Sequence, residues 1–204
     1  MALRVYFDYV SPYSYIAWNL LPAIAARHAE AIEPVPVLFG AVLDAHGTKG
    51  PAEVPARRRY ALKDVYRKAR RAGLPLTVPP AHPFNPLLAL RASSLAMPGD
   101  ARHRLVGALF AAVWATGEGL EAPGAVARIA SSVGLDGEAI ERAASEPDGK
   151  ARLRAQTDEA IAAGVFGVPT VAVDGELFWG VDGLELLDGY LAQREPVPPE
   201  LVAR

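Results

Sequence analysis

The hydrophobic pattern near the N-terminus predicts a strand, a helix and a second strand. Residues 3–7 form a short apolar run rich in β-branched and aromatic side chains, which is typical of a buried strand. Ser11 and Pro12 suit a helix start, because serine caps helices and proline fits the first helical position. We expect this helix to run to about Ala29. Residues 33–39 alternate proline with apolar residues and predict a second strand, at a sheet edge or a strand entrance.

The middle of the chain predicts helices alone. Proline and glycine crowd residues 47–55 and 73–86, and the segments between such breaks have helical patterns. The predicted helices span residues 57–71, 86–95, 103–114, 124–131, 137–144 and 150–163. We therefore predict an all-helical insertion in the middle of a sheet protein.

The strand pattern resumes near the C-terminus. Residues 170–173 and 176–179 predict two strands, and Asp174-Gly175 between them predicts a two-residue hairpin turn, since both positions accept a positive φ. Asp182, with a glutamate three residues later, has the spacing of a capping box and predicts a final helix. The order β-α-β, helices, β-β-α is that of a thioredoxin fold with inserted helices.

The predicted fold class is therefore α/β, a thioredoxin-like fold with a large all-helical insertion. We predict that residues 1–40 and 165–204 form the thioredoxin-like domain. Residues 41–164 are predicted to form the helical insertion domain. Because the opening strand–helix–strand unit favours parallel pairing, the first two strands are expected to be parallel.

Composition and charge exclude several classes of function. The 204 residues carry a net charge of −2, which offers no basic surface for nucleic acid, and 51% of them are apolar, enough for a core. Neither a membrane span nor a signal-peptide pattern is visible, so we expect a cytoplasmic protein that binds no membrane. The chain has no cysteine, which excludes disulfides and a cysteine nucleophile. Its four histidines lack metal-binding spacing, and we expect no metal.

Two serines stand where a thioredoxin fold commonly carries its reactive cysteines. Ser11 and Ser14 have the Cys-x-x-Cys spacing at the junction of the first strand and the first helix. The positive end of the helix dipole stabilises a thiolate at this place. Serine removes intrinsic redox activity but keeps the anion-binding helix terminus and adds a hydroxyl donor. The alternative is that Ser11 only caps the helix.

Val168-Pro169 precedes the third predicted strand, where thioredoxin-like proteins carry a cis proline. A cis X-Pro bond is a minority state and usually a selected feature. The residue before such a proline exposes backbone groups that can pair with a peptide ligand as a strand does. The alternative is an ordinary trans proline at a strand start, but the serine turn near the N-terminus favours the cis isomer.

Two motifs carry a family resemblance: FDYVSPYSYIAW near the N-terminus and GVFGVPTVAVDGELFWGVD near the C-terminus. They resemble the 2-hydroxychromene-2-carboxylate isomerases, which belong to a group that includes the kappa-class glutathione transferases and is related to bacterial disulfide oxidoreductases. It extends through the helical insertion, which contains RRRYALKDVYRKA. The two end motifs are specific when they occur together.

The resemblance implies roles for individual residues. Ser11 would hydrogen-bond the sulfur of glutathione, the implied cofactor, and would be the catalytic residue. Val168 would pair with the tripeptide through its backbone beside the cis residue Pro169. Asp182 would bind the γ-glutamyl amino group, with the capping box as the alternative. Asn85, in the family motif Phe-Asn-Pro, would contact the substrate, with a helix N-cap as the alternative.

The chain departs from the family in two places. Where the family commonly has a basic residue and later an asparagine, this chain has Asp44 and Thr48. His46, Lys49 or a nearby arginine would then have to meet a substrate carboxylate. The family often has arginine where this chain has Gly183, which removes one possible contact with a carboxylate of glutathione.

The implied function is a glutathione-dependent isomerisation in aromatic catabolism. The thiolate adds to a conjugated, small-molecule substrate, a bond rotates, and the thiol leaves. The alternatives are a kappa-like glutathione transferase or peroxidase, and a non-catalytic thioredoxin-like binding protein. A homodimer is expected by analogy with the family.

Other prominent side chains have structural interpretations. The basic residues of 57–71 predict a solvated face, with the alternative that one of them reaches a carboxylate of glutathione or substrate. Trp114, Trp179 and Phe84 are expected in the core, with pocket lining as the alternative.

Overall fold

Four strands form one mixed sheet in the computed structural model, which describes residues 2–195, 197, 198 and 201. The strands are β1 (Ala2–Phe7), β2 (Ala31–Pro36), β3 (Thr170–Val173) and β4 (Glu176–Trp179), in the spatial order β2-β1-β3-β4. β1 and β2 are parallel, and the other two pairs are antiparallel. The predicted thioredoxin-like order of elements along the chain and the parallel pairing of the first two strands are confirmed. Positions 196, 199, 200 and 202–204 of the predicted segment 165–204, and residue 1, lie outside the described residues.

Two helices cover one face of the sheet. Helix α1 (Pro12–Arg27) connects β1 to β2, and α9 (Gly183–Gln193) follows β4. Leu3 and Val5 of β1 are buried in one cluster with Leu21 of α1 and Leu187 of α9. Tyr6 points to the opposite face, because side chains alternate along a strand, and packs in a separate cluster with Ala160. The chain thus forms layers on both sides of the sheet.

Seven helices lie between β2 and β3 in the described chain: α2 (Phe39–Ala45), α3 (Pro55–Arg71), α4 (Leu87–Ser94), α5 (Gly99–Phe110), α6 (Ala125–Ser132), α7 (Gly137–Ser145) and α8 (Pro147–Ala162). Short 3-10 and π segments occupy Pro51–Glu53 and Ala111–Ala115. Every helix predicted for the insertion is present with shifted ends. The described helices include none long and apolar enough to cross a membrane.

One boundary was predicted wrongly. The pattern of residues 33–39 predicted a strand, whereas β2 ends at Pro36 and α2 begins at Phe39. The N-cap residue Leu38 makes no side-chain capping bond. Instead, the backbone N–H of Phe39 donates to Asp8 Oδ2 at 2.9 Å. A carboxylate from a distant part of the chain therefore occupies the start of α2, and no local pattern reveals it.

The largest core cluster joins the end of β1 to the helices of the middle segment. The rings of Tyr9 and Phe110 lie 4.7 Å apart between centroids, and those of Phe7 and Tyr9 lie 5.4 Å apart. Trp114 and Phe84 belong to the same cluster, as expected. Trp179 does not belong to the core, because it lies on the edge strand β4 with 55% of its surface exposed. The division into two domains stays a prediction.

Candidate functional site

The register of the sheet brings three loops to one end. Tyr6 of β1 faces Thr170 of β3, so the residues after β1 and those before β3 leave the sheet on the same side. Phe7 faces Pro36 in the parallel pair, so the residues after β2 emerge there as well. This end therefore carries the turn before α1, the start of α2 and Val168-Pro169.

Ser11 is the N-cap of α1. Its backbone is extended, and its Oγ accepts a hydrogen bond from the backbone N–H of Ser14 at 3.1 Å. The predicted capping role is therefore confirmed. Both serines are buried, with 6% of Ser11 and 1% of Ser14 exposed. The Oγ of Ser14 has no hydrogen-bond partner among the residues that the structure describes. The first turn of α1 thus holds two hydroxyls, one of them without a partner.

The peptide bond between Val168 and Pro169 is cis, as predicted. Val168 is buried, and the carbonyl of Pro169 accepts a hydrogen bond from Gly180 N at 2.8 Å. This bond extends the β3–β4 pairing one step beyond the strands. Contact of this segment with a ligand stays a prediction.

The turn between β1 and α1 is held by side chains that the sequence did not single out for this purpose. Asp8 Oδ1 accepts the N–H of Val10 at 3.0 Å. Trp114 donates its indole N–H to the carbonyl of Tyr9 at 2.8 Å. His82 Nε2 lies 2.9 Å from the carbonyl oxygen of Val10, a bond that requires a proton on this nitrogen. Because the turn ends at the N-cap serine, these three side chains position the serine hydroxyl.

Asp8 is the most unusual ionisable group at this end of the sheet. Only 1% of its surface is exposed. Burial raises the pKa of its carboxyl from the ordinary 3.8 to about 7, although hydrogen bonds from the N–H groups of Phe39, Val10 and Tyr9 oppose this. The sequence signal for Asp8 is its position as an acidic residue directly after a buried apolar strand, but the predictions from the sequence did not single it out.

A second polar network connects the start of α1 to α3 and α9. The hydroxyl of Tyr13 donates to Asp64 Oδ2 at 2.9 Å. Lys68 Nζ donates to the same Asp64 oxygen at 2.9 Å and to Asp182 Oδ2 at 3.0 Å. Burial, reinforced by Asp64, raises the pKa of Tyr13. Burial alone would lower the pKa of Lys68, but the carboxylates of Asp64 and Asp182 together raise it.

The capping-box interpretation of Asp182 is wrong. Asp182 precedes α9, but its side chain makes no capping hydrogen bond, and its backbone is helical rather than extended. Its carboxylate is 85% exposed and pairs with Lys68 instead. An ion pair with a neighbouring helix competes with the local cap here, and a sequence pattern cannot report that competition. Binding of an amino group by Asp182 stays a prediction.

Asn85 and His46 both contact backbone groups of the chain itself. Asn85 Oδ1 accepts the N–H of Leu87 at 3.0 Å, but the N-cap of α4 is Pro86, so the N-cap interpretation of Asn85 is wrong by one residue. His46 Nε2 lies 3.1 Å from the carbonyl oxygen of Val165, so the His46 ring is tied to the segment that leads to the cis proline. Substrate contacts of both residues stay predictions. Within the described residues, no three His, Asp or Glu side chains come together as a possible metal site.

Comparisons with known proteins agree with this architecture. Residues 2–192 match the DsbA-like thioredoxin domain family. The chain is 32% identical over 188 residues to a 2-hydroxychromene-2-carboxylate isomerase of Sphingobium xenophagum, covering 91% of this chain and 95% of that protein. It is 26% identical to the rat glutathione S-transferase kappa 1, covering 99% of this chain and 96% of that protein.

The same family is found among solved structures. A 2-hydroxychromene-2-carboxylate isomerase superposes with a TM-score of 0.88 at 27% identity, covering 95% of this chain and 96% of that one. The family resemblance and the fold predicted from the sequence are thus confirmed. The chain belongs to the 2-hydroxychromene-2-carboxylate isomerase family and is an isomerase with a DsbA-like thioredoxin fold.

Proposed function

We propose that this isomerase uses glutathione as its cofactor and acts on 2-hydroxychromene-2-carboxylate or a similar conjugated aromatic acid. The observation that carries the proposal is the buried Ser11 at the N-terminus of α1, in a chain without cysteine and at the sheet end that also holds cis Val168-Pro169. Such a site suits the sulfur of another molecule. The names of the relatives support both the substrate and glutathione.

In the proposed complex, the sulfur of glutathione lies at the N-terminus of α1. The Ser11 hydroxyl donates to the thiolate, and the partial positive charge of the helix terminus adds to this stabilisation. A free thiol has a pKa of about 8.5, so only a few per cent is ionised at neutral pH without such help. Val168 pairs with the tripeptide backbone, and the Asp182 carboxylate binds its amino group.

The proposed reaction consumes no glutathione. The substrate is a cyclic hemiketal, whose ring opens to a phenol and a conjugated α-keto acid. The thiolate adds to the carbon of the double bond that bears the aromatic ring, and the displaced π electrons move onto the conjugated ketone. The former double bond can then rotate as a single bond. Return of the electrons re-forms the double bond and expels the thiolate, so the product is an isomer. Asn85 or His46 contacts the substrate carboxylate in this scheme.

A test of the function follows the absorbance of 2-hydroxychromene-2-carboxylate with the protein, with and without glutathione. We expect a glutathione-stimulated change. Ser11→Ala should lower turnover at neutral pH and move the rate profile to higher pH, because the thiolate loses a donor. Ser145→Ala, on the exposed end of α7, is the matched control. Absence of any stimulation by glutathione would contradict the assignment, and an unchanged Ser11→Ala profile would reduce Ser11 to a helix cap.

A kappa-like glutathione transferase is the second candidate, because the kappa relatives match almost the whole chain. The two reactions share thiolate addition and differ in the expulsion of the thiol. Quantification of free glutathione after turnover distinguishes them, since only a transferase depletes it. We further propose that the protein is cytoplasmic and forms a homodimer. Light scattering of the purified protein measures its mass in solution and so tests the oligomeric state.

A further inference from the structure

Lys68 and Asp182 present opposite charges side by side, although 114 positions separate them in the sequence. Lys68 lies on α3, and Asp182 lies directly before α9. Their side-chain atoms Nζ and Oδ2 are 3.0 Å apart. The pair therefore exists only because the fold brings α3 against the start of α9.

The two members of the pair differ in how firmly they are held. Lys68 has 22% of its side chain exposed, and Asp64 anchors its ammonium group from one turn earlier on α3. Asp182 has 85% of its side chain exposed. An ammonium group has three donors, and the described residues occupy two of them, on Asp64 and Asp182. Lys68 is thus a fixed cation with one donor left over, beside an open carboxylate.

The pair lies next to the proposed sulfur site. Tyr13, the second residue of α1, donates its hydroxyl to Asp64, and Lys68 Nζ lies 5.9 Å from the centre of the Tyr13 ring. Ser11 caps the same helix. Tyr13 thus connects the charged pair to the first turn of the helix that Ser11 caps, and in the proposed complex the residue adjoining the ligand's sulfur extends towards this pair.

The charges of this cluster fit one kind of chemical group. The side chains of Asp64, Lys68 and Asp182 together carry one negative charge. An amino-acid zwitterion complements the exposed part of the cluster, because its ammonium group can pair with Asp182 and its carboxylate with Lys68. Glutathione carries such a zwitterion at its γ-glutamyl end. We propose that Lys68 binds the α-carboxylate of the γ-glutamyl residue while Asp182 holds its amino group. This inference rests on the proposed use of glutathione and adds the residue that recognises the carboxylate.

Calorimetric titration with glutathione tests the inference without any turnover. Lys68→Met should weaken binding about 10- to 100-fold, because a hydrogen-bonded charge pair with the ligand is lost. Lys68→Arg should restore part of the affinity, since it keeps the positive charge. Lys63→Met removes an exposed lysine of the same helix and should bind glutathione as the parent does. Equal affinity of the parent and Lys68→Met would overturn the inference.

A second ligand separates recognition from a structural role. The analogue 4-aminobutanoyl-cysteinylglycine keeps the amino group and the sulfur of glutathione but lacks the α-carboxylate. The parent and Lys68→Met should bind this analogue with the same affinity, because the carboxylate that Lys68 recognises is gone. If Lys68→Met weakens the analogue as much as glutathione, Lys68 only supports the fold around Asp182, and the inference is wrong.

The two proposals fail in different ways. If the parent binds glutathione but does not isomerise the substrate, the proposed function is wrong, while the dependence of binding on Lys68 still decides the inference. If glutathione stimulates isomerisation but the Lys68 variant binds it normally, only the inference is wrong. If the parent does not bind glutathione, both are wrong.

Discussion

The buried carboxyl of Asp8 makes a quantitative prediction about stability. Asp8 accepts N–H groups from Val10 and from Phe39 at the start of α2, and almost none of its surface reaches solvent. Asp8→Asn has nearly the same shape and keeps one accepting oxygen, but it does not titrate. Replacing Asp8 by asparagine therefore removes the proton equilibrium while most of the packing stays in place.

The size of this contribution to stability follows from the shift in the pKa of the Asp8 carboxyl. Burial raises the pKa of Asp8 from 3.8 to about 7 in the folded chain. Since one pKa unit is worth about 1.4 kcal/mol, ionisation of Asp8 destabilises the native state by about 4 kcal/mol relative to the unfolded chain. Between these pKa values the folded state binds more protons than the unfolded state, so the free energy of unfolding falls as the pH rises. The loss begins near pH 4 and is complete above about pH 7.

Urea denaturation at a series of pH values measures this contribution. The quantity to follow is the free energy of unfolding of the parent minus that of Asp8→Asn, because other titrating groups cancel in the difference. We expect it to fall by about 4 kcal/mol from about pH 4 to about pH 8. Asp44→Asn, which removes an exposed carboxylate of α2, controls for the loss of one negative charge. A difference that stays constant or rises over this range would refute the reasoning.

Two further predictions concern packing and the turn before α1. A Cβ added at Gly137 would lie 1.9 Å from the carbonyl oxygen of Ala127, so Gly137→Ala should lower the free energy of unfolding by more than about 2 kcal/mol. Gly189→Ala, in an open position of α9, should instead raise the free energy of unfolding by about 0.5–1 kcal/mol. Equal changes in the free energy of unfolding for the two variants, measured by urea denaturation, would contradict the geometry. Trp114→Phe leaves the Tyr9 carbonyl without its donor, so the free energy of unfolding should fall by about 1–3 kcal/mol. The value of kcat/KM should fall as well, because the turn that this bond holds ends at Ser11. An unchanged denaturation midpoint would show that this bond does not hold the turn.

Local patterns along the chain predicted most of the elements and the central feature of the site. Asp174 and Gly175 have φ values of 54° and 85°, as the hairpin pattern required. Ser11 caps α1, because the preferences of serine and proline act within a few residues of the helix start. Periodicity and turn chemistry depend on neighbours in the sequence, and for this reason they could be interpreted without a structure.

The tertiary structure decided which distant groups meet. Asp8 reaches the N–H of Phe39, 31 positions away, and so sets the start of α2, where the apolar pattern predicted a strand. The carboxylate of Asp182 pairs with Lys68 and makes no capping hydrogen bond at the start of α9. Trp179 is exposed because β4 forms the edge of the sheet. These outcomes depend on the register of the sheet and on competition between partners far apart in the chain, and neither is encoded in any single stretch of residues.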